Sequence, residues 1–414
     1  MKGSDGSIIR EEIELAKTLA LTSRLTSQPV RERALQWLKC MRVGPVSYRM
    51  NEGASANAFT SCFALFILDL LGETRTFAES IRCEWIAYLQ SLQNQVHGYF
   101  EPEIYCHDDA ERNRLQLTCF CLSALGILGA GPKFPLKYLD EFKSAQDIDS
   151  YLHCRNVHMG ARGSGNKAMF LGIALSYEYE RTREKRFGEL LDAWFEFHDR
   201  HQNANGFWGS TREDLYYHGF QNALHQLVVY DYWNRPLGRQ EKMVDTIIAL
   251  QGPDGHFDMT PGGSACMDYD AIHFLANVLC WMDCRKSEVT ATLRKAFYSL
   301  IANQNSDGGF CQSRAKPKRL GDLIRQAPYY FKGNNPYLWY YRLRKAVGVM
   351  MRPDQITTGW VPEARRWDQS NLWDTWFRLL AMAVIANSVH LENDCGMQLS
   401  RLHEVIGFGH LRGH

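Results

Sequence analysis

Charge of one sign is missing from this chain. Its 414 residues hold 47 Lys and Arg against 46 Asp and Glu, a net of +1. That balance offers no basic field to a nucleic-acid backbone, so no nucleic-acid partner is expected. Long apolar runs are missing too. Nothing approaches roughly 18 consecutive apolar residues, so no transmembrane segment is expected. The first residues, "MKGSDGSIIREEIELAKTL", contain no apolar core of the kind an export leader needs. Proline is scarce, at 13, and alternating polar and apolar residues are nearly absent, which argues against a sheet protein. The 12 cysteines include no Cys-x-x-Cys pair, and Cys62, Cys119, Cys121 and Cys280 sit inside apolar runs. Free thiols in a cytoplasmic protein are therefore expected rather than a disulfide framework.

What the chain does have is aromatic side chains, with 11 Trp, 19 Tyr and 21 Phe, and a repeat. Gln-x-x-x-Gly-x-aromatic occurs at Gln202/Gly206/Trp208, Gln251/Gly255/Phe257 and Gln304/Gly308/Phe310, and with one extra residue at Gln93/Gly98/Phe100. The glycines at 206, 255 and 308 are 49 and 53 residues apart, a spacing that marks an array of supersecondary units. Before each motif runs an amphipathic stretch such as "RQEKMVDTIIAL". After it comes a more apolar one: "LQLTCFCLSALGIL" (Leu115 to Leu128), "YHGFQNALHQLVVYDYW" (Tyr217 to Trp233) or "DAIHFLANVLCWM" (Asp270 to Met282). The glycine ends the first helix because it accepts the left-handed conformation. Similar apolar stretches at Asn57–Leu71, Asn166–Tyr179 and Asp374–Asn387 bring the total to about six helical hairpins. Such hairpins stack into an open solenoid or close into a ring. Closure requires inner helices that are apolar nearly all round and outer ones that are amphipathic, which is the contrast seen.

The motif resembles the repeat of terpene cyclases and of protein prenyltransferase β-subunits. "GHFDMTPGGSACMDYDA" and "GYFEP…LTCFCLSALGILG" carry the likeness best, and it touches most of the chain from Asn57 to Asn387. The resemblance implies an all-α (α/α)6 toroid of repeats of about 50 residues. On this reading residues 1–50 form an N-terminal helical extension, 51–390 the toroid, and 391–414 a tail. A lid-like insertion at about 314–345 interrupts the rhythm. Its segment Lys316 to Lys345 mixes basic residues with Tyr and Trp and is the expected surface for a partner protein.

If the second helix of each unit lines the ring, its polar residues show what the interior holds. Asp214, His218, Gln221 and His225 share one helix face, Asp270, His273 and Asn277 another, and Asn371, Asp374 and Arg378 a third. None of the three ribbons carries the Lys/Glu mixture of a solvated face. Helix N-termini gathered at one mouth would favour an anionic group there. Arg162 and Lys167, in the glycine-rich "GARGSGNKAMF", are candidate anion contacts, and Arg378 is expected to pair with Asp374 one turn away or with an anionic ligand.

Asp268-Tyr-Asp270 is the sharpest motif. Helix capping by Ser264 or Asp268 is the plain reading. The resemblance adds another: class II terpene cyclases carry Asp-x-Asp-Asp in the cavity, which makes Asp270 the proton donor and Asp268 its partner, with Ala271 in place of the last acid. A donor needs an apolar setting and a raised pKa. His107-Asp108-Asp109-Ala-Glu111 looks superficially like a class I metal motif and reads as a loop and helix cap. Prenyltransferases hold zinc, for which Cys266, Asp268 and His273 are the lesser candidates. Mg²⁺ would accompany a diphosphate substrate.

Three functions remain open. The first is an isoprenoid enzyme of the terpene cyclase or prenyltransferase kind, with Asp268, Asp270, His218, His273 and Asp214 as catalytic candidates. Gln221, His225, Asn277, Asp374, Arg378, Trp373, Arg162 and Lys167 would then bind substrate. The second is a glycan hydrolase or lyase, with Asp214 and Asp270 as paired carboxylates and Trp208, Trp233, Trp339 and Trp373 stacking on sugars. The third is a toroid that binds a partner without chemistry.

Overall fold

Glutamine and glycine do the same job at four places in the ring. The computed structural model describes residues 29–103, 109–161, 163–209, 216–283, 285–352, 356–357, 359–391 and 404–407, with side chains of residues 216–223 left aside. Each motif Gln donates its side-chain N–H to the carbonyl of its own motif Gly and to a backbone carbonyl of the next unit. Gln93 reaches Gly98 and Phe134, Gln202 reaches Gly206 and Gly238, Gln251 reaches Gly255 and Thr292, and Gln304 reaches Gly308 and Val30. The last of these joins the final repeat to the first described helix and so closes the circle. The four glycines have φ of +81°, +87°, +86° and +99°. A Cβ on Gly308 would lie 2.2 Å from the Arg33 carbonyl oxygen, so only glycine lets the loop meet its neighbour.

The helices alternate outer and inner. Outer α1 (Val30–Met41) leads to inner α2 (Ala58–Leu70), α3 (Glu79–Ser91) to α4 (Ala110–Ile127), and α5 (Ala145–Cys154) to α6 (Ser164–Thr182). Then α7 (Lys185–His201) leads to α8 (Tyr216–Tyr232), and α9 (Gln240–Leu250) to α10 (Ala265–Trp281). The sixth outer helix, α11 (Lys286–Ala302), reaches its inner partner α15 (Leu372–Val389) only after an excursion. Consecutive inner helices touch from α2 through α10, α10 packs on α15, and α15 returns to α2. This is an α/α toroid.

Burial follows the plan. Helix α2 is buried at every position except Leu68, whereas outer α3 buries only Trp85 and Leu89. Inner helices α2 and α15 start on side-chain caps: Asn57 accepts the Thr60 N–H at 3.1 Å, and Asn371 accepts the Asp374 N–H at 2.9 Å. Among the described residues no helix is long and apolar enough to cross a membrane.

The excursion after α11 consists of three short helices, α12 (Leu320–Arg325), α13 (Ala327–Tyr330) and α14 (Pro336–Met350). A two-stranded antiparallel ribbon follows, β1 (Ile356–Thr357) against β2 (Ala364–Arg365). The helices share a small core of Leu323, Tyr329, Tyr330 and Ala346, apart from the main one.

Candidate functional site

In three repeats the backbone N–H of the motif aromatic is taken by a side chain on the inner helix that follows. Phe100 donates to the Thr118 hydroxyl at 3.0 Å and Phe310 to the Thr375 hydroxyl at 3.0 Å. Phe257 donates at 2.8 Å to a carboxylate, that of Asp268. Asp268 and Thr375 are each the fourth residue of their helix, so the acid occupies a joint where another repeat has threonine.

Being charged, Asp268 draws in more. Its other oxygen lies 2.9 Å from His256 Nδ1 and 3.2 Å from an Arg378 guanidinium nitrogen. His256 continues through Nε2 to Asn303 at 2.9 Å, and Arg378 donates to the carbonyls of Cys311 (2.9 Å) and Gly262 (3.3 Å). Burial opposes ionisation of Asp268, but His256 and Arg378 outweigh it and hold the carboxyl below its ordinary range. Two other buried acids are also matched. Asp374 meets Arg365 at 2.9 Å, and Asp258 meets Lys316 at 2.7 Å. Burial raises Asp258 and Lys316 pulls it down, with a lowered pKa as the outcome.

Asp270 differs from all three. It lies in the second turn of α10, 8% exposed, and among the described residues it accepts no hydrogen bond. Among the described residues its ion-pair partner is His225 of α8, whose Nε2 is 3.9 Å from the carboxylate and beyond hydrogen-bond reach. Burial alone pushes its pKa well above the usual carboxylate value. Burial therefore favours the neutral form of Asp270.

One and two turns further along α10, His273 and Asn277 face Asp231 of α8. The Asn277 amide donates to Asp231 at 3.3 Å and to the His273 carbonyl at 3.0 Å, while His273 Nδ1 stands 3.8 Å from Asp231. Tyr269, next to Asp270, opens a line of aromatic rings. It lies 5.2 Å from Phe377, Phe377 lies 4.4 Å from Trp373, and Trp373 stacks on Trp360 at 3.8 Å. Phe63 of α2 joins the group, 5.2 Å from Trp373 and 5.6 Å from Trp360.

Several expectations meet different surroundings. Asp374 does not pair with Arg378 one turn away. Arg365, brought in by β2, takes Asp374, and Arg378 crosses to Asp268 on the neighbouring helix. Lys167 is held by Asp109 (2.8 Å) and Glu111 (2.9 Å). Asp109 also caps α4 by accepting the Arg112 N–H at 3.0 Å. The Ser264 side chain makes no capping bond to α10. Trp208 is buried against the His198 carbonyl and Trp339 bonds within the excursion, so these two do not join Trp373. Asp214 and Arg162, and the side chains of His218 and Gln221, lie outside the described residues.

Cys266, Asp268 and His273 do not suit a zinc ion. Asp268 already serves Arg378, His256 and the Phe257 N–H. Burial pushes the Cys266 thiol up to about 12. Among the described residues no group of three His, Cys, Asp or Glu side chains is arranged to hold a metal. The residues that sequence reasoning passed over are His256, Asp258, Lys316 and Trp360. His256 had one local signal, a titratable group at the middle position of Gly-x-Phe. Trp360 had none, lying in a loop without periodicity.

The family model for the prenyltransferase alpha-alpha toroid domain matches residues 15–112 and 102–321. No curated protein matches the chain.

Proposed function

Because the chain belongs to the prenyltransferase alpha-alpha toroid family, we propose that it processes isoprenoids, with Asp270 starting the reaction as a proton donor. The observation that carries this reading is the contrast among buried acids. Among the described residues Asp258, Asp268 and Asp374 each lie against a Lys or Arg, whereas the ion-pair partner of Asp270 is His225 at 3.9 Å.

In the proposed step the Asp270 O–H adds to an alkene carbon of a prenyl chain. A C–H bond forms, the electrons of the O–H bond stay on the carboxylate, and a carbocation is left on the adjacent carbon. The cation is quenched by ring closure onto a neighbouring double bond and by loss of a proton, so the overall change is an isomerisation without a co-reactant. His225, 3.9 Å away, would return the proton to Asp270. The aromatic line from Tyr269 to Trp360 supports the reading, since ring faces attract a cation in a dry site. A diphosphate on the substrate would remain intact.

Mass-spectrometric product analysis tests this. Wild type and Asp270→Asn are incubated with farnesyl and geranylgeranyl diphosphate, with and without Mg²⁺. A cyclised product from wild type should be missing from the variant at equal folded concentration. Intact substrate from folded wild type in every condition, or the same product from both proteins, would sink the proposal.

A further inference from the structure

The segment from Lys316 to Arg352 holds nine Lys and Arg against one acid, Asp322. Its net of +8 stands in a chain that totals +1, so the remainder carries −7. The same segment gathers the exposed apolar side chains. Among the described residues ten large hydrophobics are exposed, and seven of them are Leu320, Ile324, Phe331, Tyr337, Tyr340, Leu343 and Met351. Nearly all of the segment lies beyond residue 321, where the family match stops.

Seven of the nine basic residues are outside the buried set, Lys316 and Arg342 being the exceptions, and exposed apolar and basic side chains are interspersed on α12 and α14. On α14, Leu338, Arg342, Ala346 and Val349 are buried at helical spacing, while Tyr337, Tyr340, Leu343, Arg344 and Lys345 are exposed. On α12, Leu323 enters the small core, and Leu320 and Ile324 stand out beside Arg319 and Arg325. Two buried anchors hold the excursion to the ring. Lys316 grips Asp258 at 2.7 Å, and the Tyr329 hydroxyl donates to the Thr260 carbonyl at 3.3 Å. Both anchor points are in the loop that leads into α10, so the excursion flanks the same end of the ring as Asp270.

We propose that this face docks the protein onto an anionic lipid bilayer. Aliphatic and aromatic side chains interspersed with Lys and Arg suit the boundary between acyl chains and phosphates. A protein interface, by contrast, usually depletes lysine at its centre. The −7 borne by the rest of the molecule keeps other faces off the same surface, so charge also sets the orientation. The proposal does not depend on the chemistry at Asp270, and its test involves no turnover.

Flotation of the full chain with vesicles of phosphatidylcholine, with and without phosphatidylglycerol, decides it. Binding is expected on the anionic vesicles only and should weaken with salt. An Ile324→Ser, Phe331→Ser, Tyr340→Ser variant changes only exposed side chains and should lose about tenfold or more in partitioning. Arg344→Glu with Lys345→Glu should lose at least as much. Circular dichroism confirms that both variants stay folded. The proposal is overturned by failure of wild type to float with anionic vesicles, by equal binding to neutral ones, or by an apolar variant that floats like wild type. Capture of an acidic protein by a chain that ignores vesicles would also overturn it and assign the face to that partner.

Discussion

Two carboxylates in neighbouring turns of α10 experience the same burial and end in opposite states. At Asp268, His256 and Arg378 outweigh desolvation and favour the charged form; at Asp270 burial prevails among the described residues, and the neutral form is favoured. The consequence for stability has opposite signs. A carboxyl raised in the fold contributes stability below its unfolded pKa of about 4 and loses it as pH rises through the folded value. Wild type should therefore become less stable over the range from pH about 4 up to the raised pKa of Asp270. Asp270→Asn removes the charge that must be buried, so urea unfolding should show it more stable than wild type at neutral pH, by about 1 kcal/mol or more. Equal midpoints at every pH would mean that Asp270 is not a buried neutral acid. Asp268 runs the other way, since its contribution is full above about pH 4 and is lost as pH falls through its depressed value. Asp268→Ala leaves Arg378 buried without its carboxylate and should cost about 3–5 kcal/mol in the same measurement.

Helices in this ring are held at their joints as much as along their lengths. The motif glycine needs both a left-handed backbone and room, and the two demands can be separated. Gly72 has φ of +78° with nothing within 4 Å of an added Cβ, whereas Gly308 has φ of +99° and meets the Arg33 backbone at 2.2 Å. Gly72→Ala should cost only the left-handed penalty, about 1–2 kcal/mol. Gly308→Ala adds a collision with backbone that cannot rotate away and should cost about 1–3 kcal/mol more. Denaturant midpoints of the two variants measure the difference, and equal losses would show that the loop yields without moving α1. This joint was legible in the sequence, because Gln, Gly and the aromatic lie within seven residues and recur. So was the inner and outer character of the helices, through the missing Lys/Glu mixture on α10 and α15. Arg378 was grouped with the residues of the ring's interior, where it is buried, but Asp374, the protein partner that helical spacing offered, is taken by Arg365.

At the scale of the whole ring, what the sequence left unread is what closure creates. Asp268 and Arg378 are 110 residues apart, and Lys316 and Asp258 are 58 apart. No periodicity predicts which charge will cross to which helix, because the choice depends on the excursion delivering Arg365 and Lys316 to their places. The joint at Gln304 depends on closure most directly. Its side chain donates to the Val30 carbonyl at 3.0 Å and accepts from Arg33 at 3.1 Å, tying the last repeat to α1. Gln304→Ala removes those bonds, worth about 1–3 kcal/mol together, at the one seam where the first and sixth hairpins meet. Elsewhere a hairpin is continuous in sequence with both neighbours, but α1 has no preceding hairpin among the described residues. Local opening should therefore begin there. Hydrogen exchange of Gln304→Ala should show α1 amides exchanging faster than in wild type, with α6 and α8 on the far side unchanged. If all inner helices lose protection equally, the ring opens as a single cooperative unit and the seam is no weaker than the chain-linked joints.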